Sequence, residues 1–248
     1  MKIKKEVRIG LTVVGIIIIG FIILINTQGN KSRRQLASRI ISLGNGGPPE
    51  TIEGLEEAIA AYEKQIELHV KDAAQTGVYW KILASRFQER GLHNEALEAL
   101  EHALYYNPED ATLHYLTGLS AAIVAKTHHN FTGIDNPERN RLYALAEEAY
   151  ISALKIDEKY LKPRYALGVL YVFELDRPED AIPLMERYLD FSTNDVDAMF
   201  VLARAYFVTG DMERALALYN MIISVARDEN KKREAQNNRQ AVMGRLYG

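Results

Sequence analysis

The chain has 248 residues, of which 48 % are apolar and 25 % charged, the proportions of an ordinary globular protein, so disorder throughout is excluded. It has no cysteine, which removes disulfides, thiol nucleophiles, iron–sulfur clusters and cysteine zinc sites together. The net charge of −3 gives no overall reason to bind nucleic acid, but that mean conceals +7 through Arg39 and −10 beyond it.

From Ile9 to Ile25 the chain reads IGLTVVGIIIIGFIILI without one charge. Seventeen residues at about 1.5 Å each give about 25 Å, enough for a short bilayer crossing. Lys2, Lys4, Lys5 and Arg8 in the tail 1–8 precede it, the flank of a signal peptide or of an uncleaved anchor. No small-residue cleavage site follows, since the next residues are Asn26-Thr27-Gln28-Gly29-Asn30, so the expectation is one uncleaved transmembrane helix over 9–25. Lys31, Arg33, Arg34 and Arg39 on the far side tie the basic count. The tail is nearer the apolar core and gains the amino terminus, which favours a cytoplasmic N-terminus and an exported body; a cytoplasmic body is the second possibility.

The linker 26–49 contains Ser32 to Leu43, with Leu36, Ile40 and Leu43 on one helical face. Two readings fit: a basic amphipathic helix lying on anionic headgroups, or a continuation of the anchor. Gly44 and the run Asn45-Gly46-Gly47-Pro48-Pro49 then break any helix and mark a domain boundary.

The body from residue 50 repeats. Gly77 to Asp110 carries Trp80, Leu83, Ala84, Phe87, Gly91, Ala96, Leu100, Ala103 and Pro108, spacings that resemble the tetratricopeptide repeat (TPR), a helix–turn–helix unit of about 34 residues. Two antiparallel helices approach closely only where side chains are small, hence Ala84, Ala96 and Ala103. Trp80, Leu83, Phe87 and Leu100 then fill the wedge, Gly91 turns the chain and Pro108 ends the second helix. The pattern returns near 111–160 (Gly118, Ala146, Tyr150, Ala153), near 161–195 (Leu167, Gly168, Tyr171, Ala181, Met185) and near 196–228 (Leu202, Ala203, Tyr206, Gly210, Ala215, Tyr219). A divergent half-repeat over 50–76, with Ala58 and Tyr62, is expected to cap the start. A polar closing helix over 228–248, with Ala235, Val242 and Leu246 apolar, is expected to cap the end. The fold class is therefore all-α, a TPR-type solenoid over 50–227 behind a single transmembrane helix.

Three departures stand out. Tyr188 and Ile222 replace small residues late in second helices, where the pairs should splay, and Pro183 should bend its helix. The second repeat is sixteen residues longer than the consensus period, an insertion around 127–142. Asn136-Pro137-Glu138 is a capped helix start, so a helix is predicted over Pro137 to Ile156 with only Thr127 to Asp135 left as a loop. A partner contact and a neutral insertion both account for that loop.

Catalytic chemistry is not encoded. His128 and His129 are adjacent, not spaced i, i+4 as helical metal ligands are, so a surface loop is the expectation. His114 should lie in a core, and His69, His93 and His102 on turns or outer faces. No Gly-rich phosphate loop or nucleophile elbow occurs. No enzyme activity, cofactor or metal is therefore expected.

The resemblance implies instead a groove lined by the first helices of successive units. Carried over position by position, it gives Val78, Lys81, Ser85 and Gln88 in the first unit and Tyr115, Leu119, Ala122 and Ile123 in the second. Lys162, Tyr165, Val169 and Phe173 follow in the third, and Phe200, Arg204 and Phe207 in the fourth. Family members that grip a C-terminal carboxylate use groove lysines and asparagines; Ser85 stands where an asparagine is needed, which argues against that mode. An apolar lining suits an amphipathic helix or an extended apolar peptide, unless the chain's own loop or helix fills it. The expectation is a membrane-anchored, non-catalytic adaptor in a bacterial inner membrane with its body in the periplasm. Its partners would be lipid through 9–25 and a protein or peptide at the groove, with no nucleic acid. The alternative is a ligand-binding accessory to a transporter or envelope complex.

Overall fold

The computed structural model describes residues 51–128 and 136–247. The expected membrane segment 9–25, its tail, its linker and most of the loop ahead of Asn136 lie outside the described residues. Within them the helices are α1 (Ile52–Glu89), α2 (His93–Tyr106), α3 (Ala111–Thr127), α4 (Pro137–Ile156), α5 (Leu161–Phe173), α6 (Pro178–Phe191), α7 (Val196–Thr209), α8 (Met212–Val225) and α9 (Glu229–Tyr247). Among the described residues there is no strand, and no helix is long and apolar enough to cross a membrane. The chain divides into two compact units, 1–72 and 73–248.

Helix starts reuse one device, a short acid or amide whose oxygen takes the first free amides. Asp110 accepts from the Thr112 and Leu113 amides at 2.8 and 3.2 Å, and Asn136 from those of Glu138 and Arg139 at 3.1 and 3.2 Å. Asp195 and Asp211 do the same for α7 and α8, each at 3.1 Å. Asn136 with Pro137 behind it sets the start of α4 at the residue its sequence predicts. Helix ends turn on Gly91 and Gly210, at φ 73° and 88°, left-handed backbone that a Cβ would strain.

In the unit 1–72, the described residues are the start of α1. The half-repeat expected over 50–76 is not a separate element: α1 runs for 38 residues without a break. No proline interrupts it, and its glycines cost a helix only about 1 kcal/mol each. Between Thr51 and Asp72 only Ala58 is buried; Ile52, Leu55, Ile59, Tyr62 and Ile66 are exposed.

The unit 73–248 is an all-α solenoid in which each helix packs on the next. Its crossings are made by residues with no side chain to spare. Ala84, Ala96, Ala103, Ala146, Ala153, Ala181, Ala203 and Ala215 are all wholly buried. At Gly118 an added Cβ would lie 2.5 Å from the Tyr150 ring, and at Gly168 it would meet Met185. Larger residues fill three successive clusters. The first has Leu100 and Leu113 at its centre, the second Leu142, Tyr150 and Leu167, the third Met199, Leu202, Tyr219 and Ile222. Ala235 and Val242 of α9 complete the third.

Several expectations change here. Leu83 is exposed rather than wedged, because it falls at the edge of the stripe formed by Trp80, Ala84 and Phe87, where Trp80 stacks on His102 at 4.3 Å. His114 is not a core residue: it is half-buried, with Nε2 2.7 Å from the Pro108 carbonyl. Of the two residues expected to splay their helix pairs, Ile222 is wholly buried and Tyr188 half-buried. Pro183 sits inside α6 without ending it; Glu179, whose carbonyl loses its partner, is exposed to water.

Tyrosine–carboxylate–arginine ties link successive units. Tyr171 donates to Glu147 at 2.9 Å, and Arg177 bonds the same carboxylate at 2.7 Å with its guanidinium 4.5 Å over the Tyr171 ring. Tyr206 donates to Glu186, and Arg214 lies 4.4 Å over the Tyr206 ring. Burial, reinforced by the carboxylate bond, pushes Tyr171 and Tyr206 each up to about 12.

Two outcomes follow from this packing. Gly118→Ala should lower the unfolding free energy by roughly 1–3 kcal/mol because Tyr150 has nowhere to go, whereas Gly244→Ala, with open space around it, should raise it by roughly 0.5–1 kcal/mol. Urea melts of both variants check this. Because the folded tyrosines hold their protons more tightly than unfolded ones, stability should be level below pH 10 and fall as pH rises from 10 through about 12. Denaturation midpoints across that range, compared with Tyr171→Phe and Tyr206→Phe, measure it.

Candidate peptide groove

Helices α3 and α5 face each other across a cavity of about 350 Å³. Tyr115, Leu119, Ala122 and Ile123 line it from α3; Leu161, Lys162, Tyr165, Ala166, Val169 and Leu170 line it from α5. The spacing of three and four residues along each helix is what puts these side chains on one face. Tyr150 of α4 forms part of the floor, and Tyr188 of α6 closes one side.

The rings hold one another in place. Tyr115 packs at 5.5 Å from Tyr160 and 6.2 Å from Tyr150, and Tyr165 at 5.4 Å from Tyr188. The Tyr188 hydroxyl donates to Asp195 at 2.8 Å. Burial raises the Tyr115 hydroxyl above its ordinary range, with Tyr160 adding to it, and burial raises Tyr165, with Asp197 and Asp195 adding to it. These rings therefore present neutral donors on an apolar wall. The charged lining residues are Lys162, which is exposed, and Lys126, which pairs with Glu174 at 2.8 Å, while Glu174 also accepts from Tyr143 at 2.6 Å.

The expected lining residues divide into three sets. Tyr115, Leu119, Ala122, Ile123, Lys162, Tyr165 and Val169 meet in this cavity. Phe173, Phe200, Arg204 and Phe207 line a second hollow of about 310 Å³, shared with Tyr219 and with Glu234, Asn238 and Ala241 of α9. There the closing helix reaches the lining itself, and Arg245 covers the Phe207 ring at 4.5 Å. Lys81, Ser85 and Gln88 line neither hollow. Lys81 is 2.6 Å from Asp110, Ser85 donates to the Lys81 carbonyl at 3.1 Å, and Gln88 donates to Leu116 O and Ser120 Oγ at 3.0 and 2.8 Å. Although burial opposes it, the Lys81 ammonium and two amides hold the Asp110 carboxyl below its ordinary value.

Sequence reasoning from first helices alone missed Tyr150, Tyr188, Lys126 and Glu174. Tyr188 carried a signal, a large ring where a small residue was due, and the ring reaches the groove. No group of three or more His, Asp or Glu able to hold a metal occurs among the described residues. His128 follows the last residue of α3, and its partner in the pair lies outside the described residues.

The first-unit residues are thus spent on packing. Gln88→Ala should cost about 1 kcal/mol of stability by removing the donor to the Leu116 carbonyl and to the buried Ser120 hydroxyl, which keeps only its 3.4 Å contact with His93, without changing what the groove between α3 and α5 binds. Urea melts beside a binding titration separate the two effects.

Against this geometry, residues 172–233 match the family model of the tetratricopeptide repeat. The TPR repeat-containing protein of Borreliella burgdorferi is 24 % identical over 222 residues, spanning 87 % of this chain and 94 % of its own. Among solved structures, YrrB, described as a TPR protein with an unusual peptide-binding site, superposes with a TM-score of 0.57 at 18 % identity, over 73 % of this chain and 82 % of that one. MamA from Desulfovibrio magneticus RS-1 superposes with a TM-score of 0.54 at 16 % identity, over 68 % and 94 %. The segment 172–233 is thus similar to the tetratricopeptide repeat, and the body folds as an all-α solenoid like those of TPR proteins.

Proposed function

We propose that this protein is a membrane-anchored, non-catalytic adaptor that holds an apolar peptide or amphipathic helix of a partner protein between α3 and α5. The observation that carries the reading is the cavity of about 350 Å³, walled mainly by aliphatic side chains and tyrosines, with Lys126, Lys162 and Glu174 its charged residues. Such a surface gains by burying apolar area and orients its guest with a few polar groups. TPR solenoids generally serve as protein-interaction scaffolds, and YrrB is a TPR protein with a peptide-binding site.

The anchor rests on the uncharged run 9–25 with its basic flank. A body tethered there meets envelope partners at raised effective concentration. The bacterial inner membrane with an exported body is the setting that the charge pattern favours, and the Borreliella relative is a bacterial protein. The cavity volume also falls within the range of small-molecule sites, about 300–1,000 Å³. The second reading, an accessory subunit that holds a small apolar ligand, is therefore kept.

Tyr165→Glu and Val169→Glu should each weaken capture of the partner peptide at least tenfold, about 1.4 kcal/mol, with helicity unchanged. Photo-crosslinking from Leu119 and Ile123 in intact membranes identifies the guest; a small molecule seen by native mass spectrometry, with no protein adduct, favours the second reading. Unchanged capture in both glutamate variants overturns the groove. A topology reporter fused after Gly248 should register the exported side.

A further inference from the structure

The start of α1 carries an exposed apolar seam. Ile52, Leu55, Ile59, Tyr62 and Ile66 recur at alternating steps of three and four residues, and His69 and Ala73 continue the register. That is a heptad, with Ile52, Ile59 and Ile66 at a and Leu55 and Tyr62 at d. All five are exposed, Ile52 at 73 %, Ile59 at 56 % and Ile66 at 61 %. Ala58, the buried residue of this stretch, flanks the seam at g and leaves it open. A face of this size and regularity, left in water, marks an association surface.

We propose that a second copy of this chain occupies the seam, forming a parallel two-stranded coiled coil over about Ile52–His69. Isoleucine at every a position, with Leu55 at the first d position ahead of Tyr62 and His69, is nearest the pattern that favours two parallel strands. The flanking charges select the same arrangement. In a parallel pair, Ala58 faces Glu63 of the second copy and Gln65 faces Val70 of the second copy, so no like charges meet. In an antiparallel pair the e positions face each other and set Glu56 and Glu63 of the two copies together, which is repulsive. The chain ahead of the helix points the same way. Fifty residues precede Thr51, and two copies rooted in one membrane through 9–25 leave it in the same direction. Three heptads are marginal on their own in water; confinement to one surface supplies the effective concentration that stabilises the pair. The pairing rests on the anchor of the proposed function but not on its groove, and groove and pairing can each fail without the other.

The natural absence of cysteine gives a clean test. Full-length chains in native membranes, carrying single substitutions, are oxidised mildly and resolved without reductant. Leu55→Cys and Ile59→Cys, at d and a, should form covalent dimers at least tenfold faster than Glu57→Cys and Lys64→Cys, at the outer f position. Adding Ile59→Glu and Ile66→Glu to the Leu55→Cys chain should abolish the dimer while leaving helicity and peptide capture unchanged. Equal crosslinking at all four positions, or none at Leu55→Cys and Ile59→Cys, overturns the proposal. So does an intrachain disulfide between Leu55→Cys and Leu36→Cys without a dimer, which would assign the seam to the chain's own N-terminal segment. A crosslink to a different protein overturns it equally.

Discussion

Close approach between antiparallel helices is the constraint from which the solenoid follows. Each crossing is made at an alanine or glycine with no exposed surface, such as Ala84 against α2 or Gly118 under Tyr150. With backbones that near, the neighbouring large residues have one place to go, the wedges between helices, and they fill three successive clusters. Interiors packed this way transmit volume changes instead of absorbing them. The groove depends on the same constraint, since pulling α3 against α4 leaves the opposite face of α3 bare toward α5.

The groove is narrower in extent than a row of equivalent helices suggests. The first unit contributes no lining because Lys81, Ser85 and Gln88 are each bonded within the chain. In the last, α9 leans over Phe207. The open apolar stretch is therefore set by its two ends, one closed by polar bonds and one by a terminal helix. Between them, tyrosines whose protons are held by burial supply donors without charge.

Much of this was legible in the sequence, for identifiable reasons. Small residues at fixed spacing gave the crossings, and Asn136-Pro137-Glu138 located α4 because capping is a local matter of one side chain and two amides. What was not legible depended on neighbours. Gln88 looks like a groove residue by position, and only the placement of Ser120 and the Leu116 carbonyl diverts it. His114 looks buried by register but finds a carbonyl at the turn. The continuity of α1 was hidden because divergence from the repeat pattern resembles a boundary, whereas helix propensity recognises none. Tyr188 was visible as an anomaly, yet its direction required the position of Tyr165.

The ties at Tyr171 and Tyr206 bear on how the molecule comes apart. Each ring is bonded to an acid of the preceding helix pair and covered by an arginine of the pair it helps begin. Losing the pair of α5 and α6 thus strips Glu147 of both its tyrosine and its arginine on one side, and Tyr206 of its carboxylate on the other. Linear arrays with weak couplings fray link by link. Polar bonds at two consecutive joints work against such fraying in the later units.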